Sequence, residues 1–249
     1  VRNASHIPSN KDYYDARFGA LSQDLNEEER RRLQFIQGAV EKLKSDKPLH
    51  IADFGCGRGW LSQALHAYGS VTGFDLSEKA IANARSSFPE IQFQQLNAEE
   101  VVPEAYQNQF DLLVSSEVLE HTLDQKGYLQ NCASLLKPGG HLILSAPNGR
   151  WKKDFYADGR EQWQQPVENW RKAEEIKSLM ETLNFSRISI STFNSEWHFD
   201  FRPRTAGTRH LSHPLSRKFF KLTRQYENLL TQLNAAGYGL NLLIIAQKK

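Results

Sequence analysis

Between Leu49 and Leu144, short apolar runs of strand length alternate with stretches of helical spacing, a pattern that few chain architectures accommodate. The runs read HIADF, VTGFD, IQFQQL, FDLLVSS and HLILSA, and the stretches between them include WLSQALHAY, EKAIANAR and YLQNCASLL. Joining two parallel strands takes a crossover, usually a helix. Such alternation therefore predicts βαβ units and a parallel sheet covered by helices on both faces, an α/β fold. The tetrad KPGG, Lys137 to Gly140, is expected to end a helix and turn the chain into the next strand.

The flanking segments read differently. Residues 1–47 are expected to form a helical cap: Asn26 can cap a helix with Glu29 three residues on, and Leu33, Ile36, Val40 and Leu43 follow at helical spacing. Beyond the alternating region, Trp170 to Leu183 predicts an amphipathic helix, and the Ile/Ser alternation from Arg187 to Phe193 predicts a strand. About 45 residues separate that strand from the last apolar run, Leu240 to Ala246, far more than an ordinary loop of roughly 4 to 6. Residues 194–239 are therefore expected to be an insertion, with a helix over Leu215 to Leu233. Its stripe of Leu215, Phe219, Leu222, Tyr226, Leu229 and Leu233 suits a core or an interface, which leaves monomer and homodimer both open. A chain of 249 residues accommodates this as a single domain, 1–249, with its core at 48–193 and 240–249.

Composition excludes several classes. With 39% hydrophobic and 24% charged residues the chain is no disordered polymer, and no stretch approaches the roughly 18 apolar residues of a membrane span. Val1 to Asn10 lacks the basic and then apolar profile of a secretory signal. The two cysteines, Cys56 and Cys132, are far apart and form no metal-binding spacing, so a cytoplasmic setting is expected. A net charge of +2 makes no case for nucleic acid. Between Glu196 and Arg224, however, seven Arg and Lys face two acids, as a solvated helix surface or a surface for an anionic substrate would.

The strongest local signal is DFGCGRG, Asp53 to Gly59, placed after a strand and before a helix. Glycines let backbone amides approach a ligand and permit positive φ, and the helix offers its positive end. Asp75, 20 residues after Gly55 at the end of the next strand, can accept hydrogen bonds from two ribose hydroxyls. The pair points to a nucleoside-containing cofactor, and the spacing departs from the GxGxxG of nicotinamide binders.

In consecutive order DFGCGRG, GFDLS, LNAEE, FDLLVSSEVLEH and LLKPGGHLILSAPN resemble the motifs of the class I S-adenosylmethionine-dependent methyltransferases, similar to the ubiquinone-biosynthesis-type O-methyltransferase group. The resemblance implies a Rossmann-like seven-stranded, mostly parallel sheet with an antiparallel last strand. It also implies S-adenosylmethionine as cofactor, with Asp53, Gly55 and Gly57 on the methionine part, Asp75 on the ribose and Asn97 with Ala98 at the adenine edge. Leu76 and Ser116 complete the implied contacts. Asn97 stands where the family more often has Asp; its amide can still meet the adenine amino group. Tyr13, Tyr14, Arg17 and Phe18 look like the lid of many relatives, or like a simple capping helix.

Methyl transfer to a hydroxyl needs alignment and a place for the proton. If a helix begins near Glu117, then Glu117, Glu120 and His121 share one face and can ligate Mg²⁺ or Mn²⁺. The EVLEH string is similar to that of the ubiquinone-biosynthesis and small-RNA 2′-O-methyltransferases, where it can bind a metal; in other relatives it only holds a loop. Glu120, His121 and His198 are the expected catalytic groups, with His210 and His213 as further bases. A small-molecule or glycan hydroxyl is the expected acceptor. RNA or another nucleic acid, a non-catalytic nucleoside-binding module and a nicotinamide oxidoreductase are the alternatives.

Overall fold

A computed structural model gives the three-dimensional structure of the chain. It describes residues 9–18, 24–43, 46–156, 165–194 and 224–249. Seven strands form one sheet: β1 Leu49–Phe54, β2 Gly69–Asp75, β3 Gln92–Gln95, β4 Phe110–Ser116, β5 Leu136–Pro147, β6 Phe185–Phe193 and β7 Asn241–Lys248. Their order is β3-β2-β1-β4-β5-β7-β6, and only β7 runs antiparallel to its neighbours. The chain winds outward from β1 in one direction through β2 and β3, and in the other through β4 and β5. The carboxyl ends of β1 and β4 therefore flank a crevice where the winding reverses, the place where open α/β sheets bind ligands.

Both sheet faces are buried, which explains why the strand sequences are nearly continuous apolar runs. Along β5 and β7, Leu142, Leu144, Leu242 and Ile244 face one core, while Ile143 and Leu243 face the other. The first core is closed by α5 Gln125–Leu135 and α7 Ala173–Glu181, through Tyr128, Leu129, Ile176 and Met180. On the opposite face lie α2 Glu27–Leu43, α3 Trp60–Leu65 and α4 Glu78–Ser87, which contribute Ile36, Val40, Leu61, Leu65 and Ile81. Three shorter or peripheral helices complete the described set: α1 Asn10–Phe18, α6 Lys152–Tyr156 and α8 Arg224–Ala235.

The local signals act as their chemistry requires. Asn26 and Glu29 form a reciprocal capping box, with Glu29 N to Asn26 Oδ1 and Asn26 N to Glu29 Oε2 both at 2.9 Å. Ser77 caps α4 by accepting from Ala80 N at 3.1 Å, and Asp124 caps α5 by accepting from Gly127 N at 2.9 Å. Where elements differ from the sequence expectation, non-local hydrogen bonds decide. Helix α5 does end at Leu135, but KPGG lies inside β5 as an irregularity, with pairing that jumps from Phe110↔Leu136 to Leu112↔His141 and Gly139 at φ 78°. Helix α7 starts at Ala173 rather than Trp170, because the preceding residues are bonded to the turn after β4. Strand β6 begins two residues early and carries a bulge at Arg187, φ 49°.

Of the expected insertion helix, Leu215, Phe219 and Leu222 lie outside the described residues, and α8 covers the remainder to Ala235. Most of the basic stretch from Glu196 to Arg224 lies outside them as well. Among the described residues no helix is long and apolar enough to cross a membrane.

Gly73 on β2 leaves room for a neighbour rather than for a turn: a Cβ there would stand 2.5 Å from Phe93 Cδ1 and 3.0 Å from Cys56 Sγ. Both partners are buried, so Gly73→Ala is expected to cost about 1–3 kcal/mol of stability through overpacking, read as a lower midpoint in urea denaturation.

Candidate active site

At the crevice, the chain leaves β1 with Asp53 and Phe54 and turns through three glycines at positive φ: Gly55 (88°), Gly57 (52°) and Gly59 (87°). The loop is tied to the next strand, since Gly55 N and Cys56 N both donate to Phe74 O, at 2.7 and 2.9 Å. At Gly57 a side chain is disfavoured by φ 52°, and a Cβ would sit tightly, 3.2 Å, against the Phe18 ring Cζ. Asp75, buried at the end of β2, accepts from Gly57 N through Oδ2 at 2.8 Å and from Ser77 N through Oδ1 at 2.9 Å. Burial pushes its carboxyl up to about 6 against these backbone bonds. Asp53, which accepts from Ser62 Oγ at 2.6 Å, is pushed by burial up to about 7. Arg58 in the loop forms a two-pronged pair with Glu29, 3.0 and 2.9 Å, which fastens α2 to the glycine turn.

The turn from Asp53 to Arg58, together with Asp75, lines a cavity of about 880 Å³. All eight expected cofactor positions border it: Asp53, Gly55, Gly57, Asp75, Leu76, Asn97, Ala98 and Ser116. The Asn97 side chain is also used locally, donating to Glu100 Oε1 at 3.1 Å and accepting from Glu99 N at 3.1 Å. Helix α1 lies across the cavity, and Tyr13, Tyr14, Arg17 and Phe18 all border it. Polar contacts hold the helix there: Asn10 Nδ2 to His121 O at 2.9 Å, Tyr14 OH to Gln165 Oε1 at 2.6 Å, and Ser77 Oγ to Asp15 Oδ1 at 2.5 Å.

After β4 the structure corrects one expectation. No helix begins at Glu117, which takes φ 57°; its N–H continues the ladder to Ser145 O at 2.9 Å, and its carboxylate accepts from Ser145 Oγ and Asn241 Nδ2, at 2.9 and 3.0 Å. Only a three-residue 3₁₀ turn follows, Leu119–His121. Glu117 is thereby held toward β5 and β7, away from the shared helix face expected with Glu120 and His121. Among the described residues no group of three His, Cys, Asp or Glu is placed to hold a metal ion.

Glu120 and His121 form a buried pair, with Glu120 Oε1 3.5 Å from His121 Nε2. Burial, and then the charge of Glu117, raises the Glu120 carboxyl well above the usual range, and burial lowers His121. His121 Nδ1 lies 2.9 Å from Val167 O, and a carbonyl only accepts, so Nδ1 carries the proton and Nε2 keeps its lone pair. The segment that supplies Val167 is bonded to the 3₁₀ turn: Asn169 N to Glu120 O at 2.7 Å, Asn169 Nδ2 to Thr122 O at 3.0 Å, and Gln125 Nε2 to Asn169 O at 2.7 Å. His198, His210 and His213 lie outside the described residues.

Several lining residues carried no local sign in the sequence: Arg32, Tyr156, Glu168, Trp170 and Asn241. Phe155, Tyr156 and Trp170 cluster with ring centroids 5.1 to 5.6 Å apart, and Trp170 Nε1 donates to Glu168 Oε2 at 2.5 Å. An aromatic-rich stretch without periodicity, FYADGREQWQQPVENW, was the one available hint. Both cysteines are buried, and burial pushes Cys132 up to about 12, so neither is a nucleophile at neutral pH.

A family model described as a methyltransferase domain matches residues 26–190. The ubiquinone biosynthesis O-methyltransferase of Coxiella burnetii (strain RSA 493 / Nine Mile phase I) is 36% identical over 130 residues, 50% of this chain and 53% of the relative. That of Aromatoleum aromaticum is 37% identical over 112 residues, 43% and 47% of the two chains. The chain thus spans about half the length of the curated relatives it matches. Among solved structures, an S-adenosylmethionine dependent methyltransferase from Mesorhizobium loti superposes with a TM-score of 0.57 at 21% identity, covering 85% of this chain and 96% of that one. A Pyrococcus horikoshii protein gives 0.62 at 16%, covering 96% and 99%. These two likenesses speak for the fold.

In the unfolded chain Asp53 ionises near 3.9, whereas in the folded protein it keeps its proton to about 7. The folded state thus binds the extra proton between those values, and stability falls as pH rises through that window. Asp53→Asn removes this contribution. Urea unfolding between pH 5 and 7 is expected to show a shallower decline for the variant, by up to about 1.4 kcal/mol per pH unit.

Proposed function

Because the chain belongs to the methyltransferase domain family that matches residues 26–190, we propose that it transfers the methyl group of S-adenosylmethionine to a hydroxyl of a small molecule or glycan. The observation that carries this reading is the meeting, in one cavity, of a nucleoside cradle and a proton acceptor: Asp75 with Gly57 on one side, His121 Nε2 on the other. When bound, the cofactor supplies an electrophilic methyl group on a sulfonium.

The residues suit that cofactor. Each Asp75 oxygen has one backbone partner and keeps capacity for a ribose hydroxyl, and Gly57, at φ 52°, lets the backbone approach in a conformation that side chains rarely adopt. Asp53, Gly55 and Gly57 are assigned to the methionine part, and Leu76, Asn97, Ala98 and Ser116 to the remaining contacts.

On the acceptor side, His121 is uncharged near neutral pH and its lone pair is available to a hydroxyl proton. Glu120 Oε1, 3.5 Å from His121 Nε2, is placed to share that proton. The relatives named as O-methyltransferases support oxygen as the methylated atom. Alignment of acceptor and methyl in a covered cavity supplies the remainder of the acceleration.

Calorimetric titration with S-adenosylhomocysteine, run beside NADH, tests the cofactor reading. Binding of the first alone is expected, weakened at least about tenfold in Asp75→Ala, since a hydrogen bond to a charged group is worth about 1.5–3 kcal/mol. Affinity is expected to fall below about pH 6, where Asp75 takes up its proton and stops accepting from the ribose. NADH binding, or none by either ligand, overturns the proposal.

For the base, His121→Ala is expected to lower turnover about 10²- to 10⁴-fold on whichever member of a phenol and sugar panel is methylated, with S-adenosylhomocysteine affinity unchanged. Full turnover in the variant would remove His121 from the chemistry.

A further inference from the structure

Opposite the glycine loop, the cavity ends in a wall whose composition is specific. Tyr14, Phe155, Tyr156 and Trp170 supply aromatic surface, and Glu120 and Glu168 supply carboxyl groups. Glu168 is fixed, with Oε2 bonded to Trp170 Nε1 and a side chain only 11% exposed. Glu120 is 3% exposed, and its Oε2 has no hydrogen-bond partner although it belongs to the cavity wall. A buried carboxyl oxygen left without a donor calls for one from a ligand.

The cations nearby do not fill that need. Arg32 borders the same cavity and its charge reaches Glu117 and Glu120, but its ion pair is with Glu28 and no hydrogen bond joins it to Glu120 Oε2; Arg17 lies exposed on α1 against Tyr13 OH, and Lys152 donates to the backbone oxygen of Glu168. Burial, and then the neighbouring Glu120, Tyr13, Asp75 and Glu168, raise the Tyr14 hydroxyl, and burial with Glu168 raises that of Tyr156. Aromatic faces beside carboxyl groups favour a positively charged ligand group.

We propose that the methyl acceptor carries a cationic nitrogen, a protonated amine or quaternary ammonium, seated against Trp170, Tyr156 and Tyr14 and faced by Glu168 and Glu120. This deepens the methyltransferase reading and rests on it, since it names the chemistry of the molecule that would occupy the acceptor end.

The test uses the protein saturated with S-adenosylhomocysteine, titrated with choline and with its neutral isostere 3,3-dimethyl-1-butanol. Choline is expected to bind about tenfold more tightly. That preference should collapse toward parity in Glu168→Gln and in Trp170→Leu, each first shown to retain wild-type affinity for S-adenosylhomocysteine. Equal binding of the two probes, binding of neither, or a preference that survives both substitutions overturns the inference while leaving the cofactor reading intact. Failure of S-adenosylhomocysteine to bind the wild-type protein would instead strike the methyltransferase reading itself.

Discussion

A buried carboxylate, that of Asp75, organises the crevice, because two backbone amides from separate segments converge on it. One comes from Gly57 and sets the path of the glycine loop; the other comes from Ser77 and sets the start of α4. Removing a carboxylate from water is costly unless hydrogen bonds replace the lost hydration; these two amides do so in part, and burial still holds the carboxyl up at about 6. Ser77 carries the connection further, capping α4 with its oxygen and donating its proton to Asp15 on α1. The residue assigned to the ribose is thus two bonds from the helix that covers the cavity.

The acceptor side follows another logic. No single element builds it: His121 and Glu120 come from the turn after β4, Tyr14 from α1, Tyr156 from α6, and Glu168 with Trp170 from the segment before α7. What holds the parts together is the set of hydrogen bonds that Asn169 makes with Glu120 and Thr122 in and after the 3₁₀ turn and with Gln125 at the start of α5. The Val167 carbonyl then selects the His121 tautomer, so the segment that walls the pocket also decides which ring nitrogen keeps its lone pair.

Features whose cause is local were legible in the sequence. The capping box of Asn26 and Glu29 and the helical spacing of Ile36 and Val40 depend on neighbours within a turn, and each stands where a local rule places it. The strand runs and the glycine loop were also readable, since a doubly buried strand must be apolar and a close turn must contain glycine. Glu117 shows where such reading fails. Its spacing to Glu120 and His121 is helical, yet Ser145 and Asn241, 28 and 124 residues away, capture it. Nothing within a turn of Glu117 announces those partners.

By itself, therefore, the sequence determined the α/β architecture, the position of the glycine loop and the acid at the end of β2, because periodicity, capping and backbone permissiveness are properties of neighbouring residues. The tertiary structure alone decided that no helix starts at Glu117 and that its carboxyl bonds Ser145 and Asn241, that His121 meets the Val167 carbonyl through Nδ1, and that Glu168 and Trp170 enter the wall. Each of these depends on hydrogen bonds closed across loops of many residues, and their partners meet only when the sheet has been assembled.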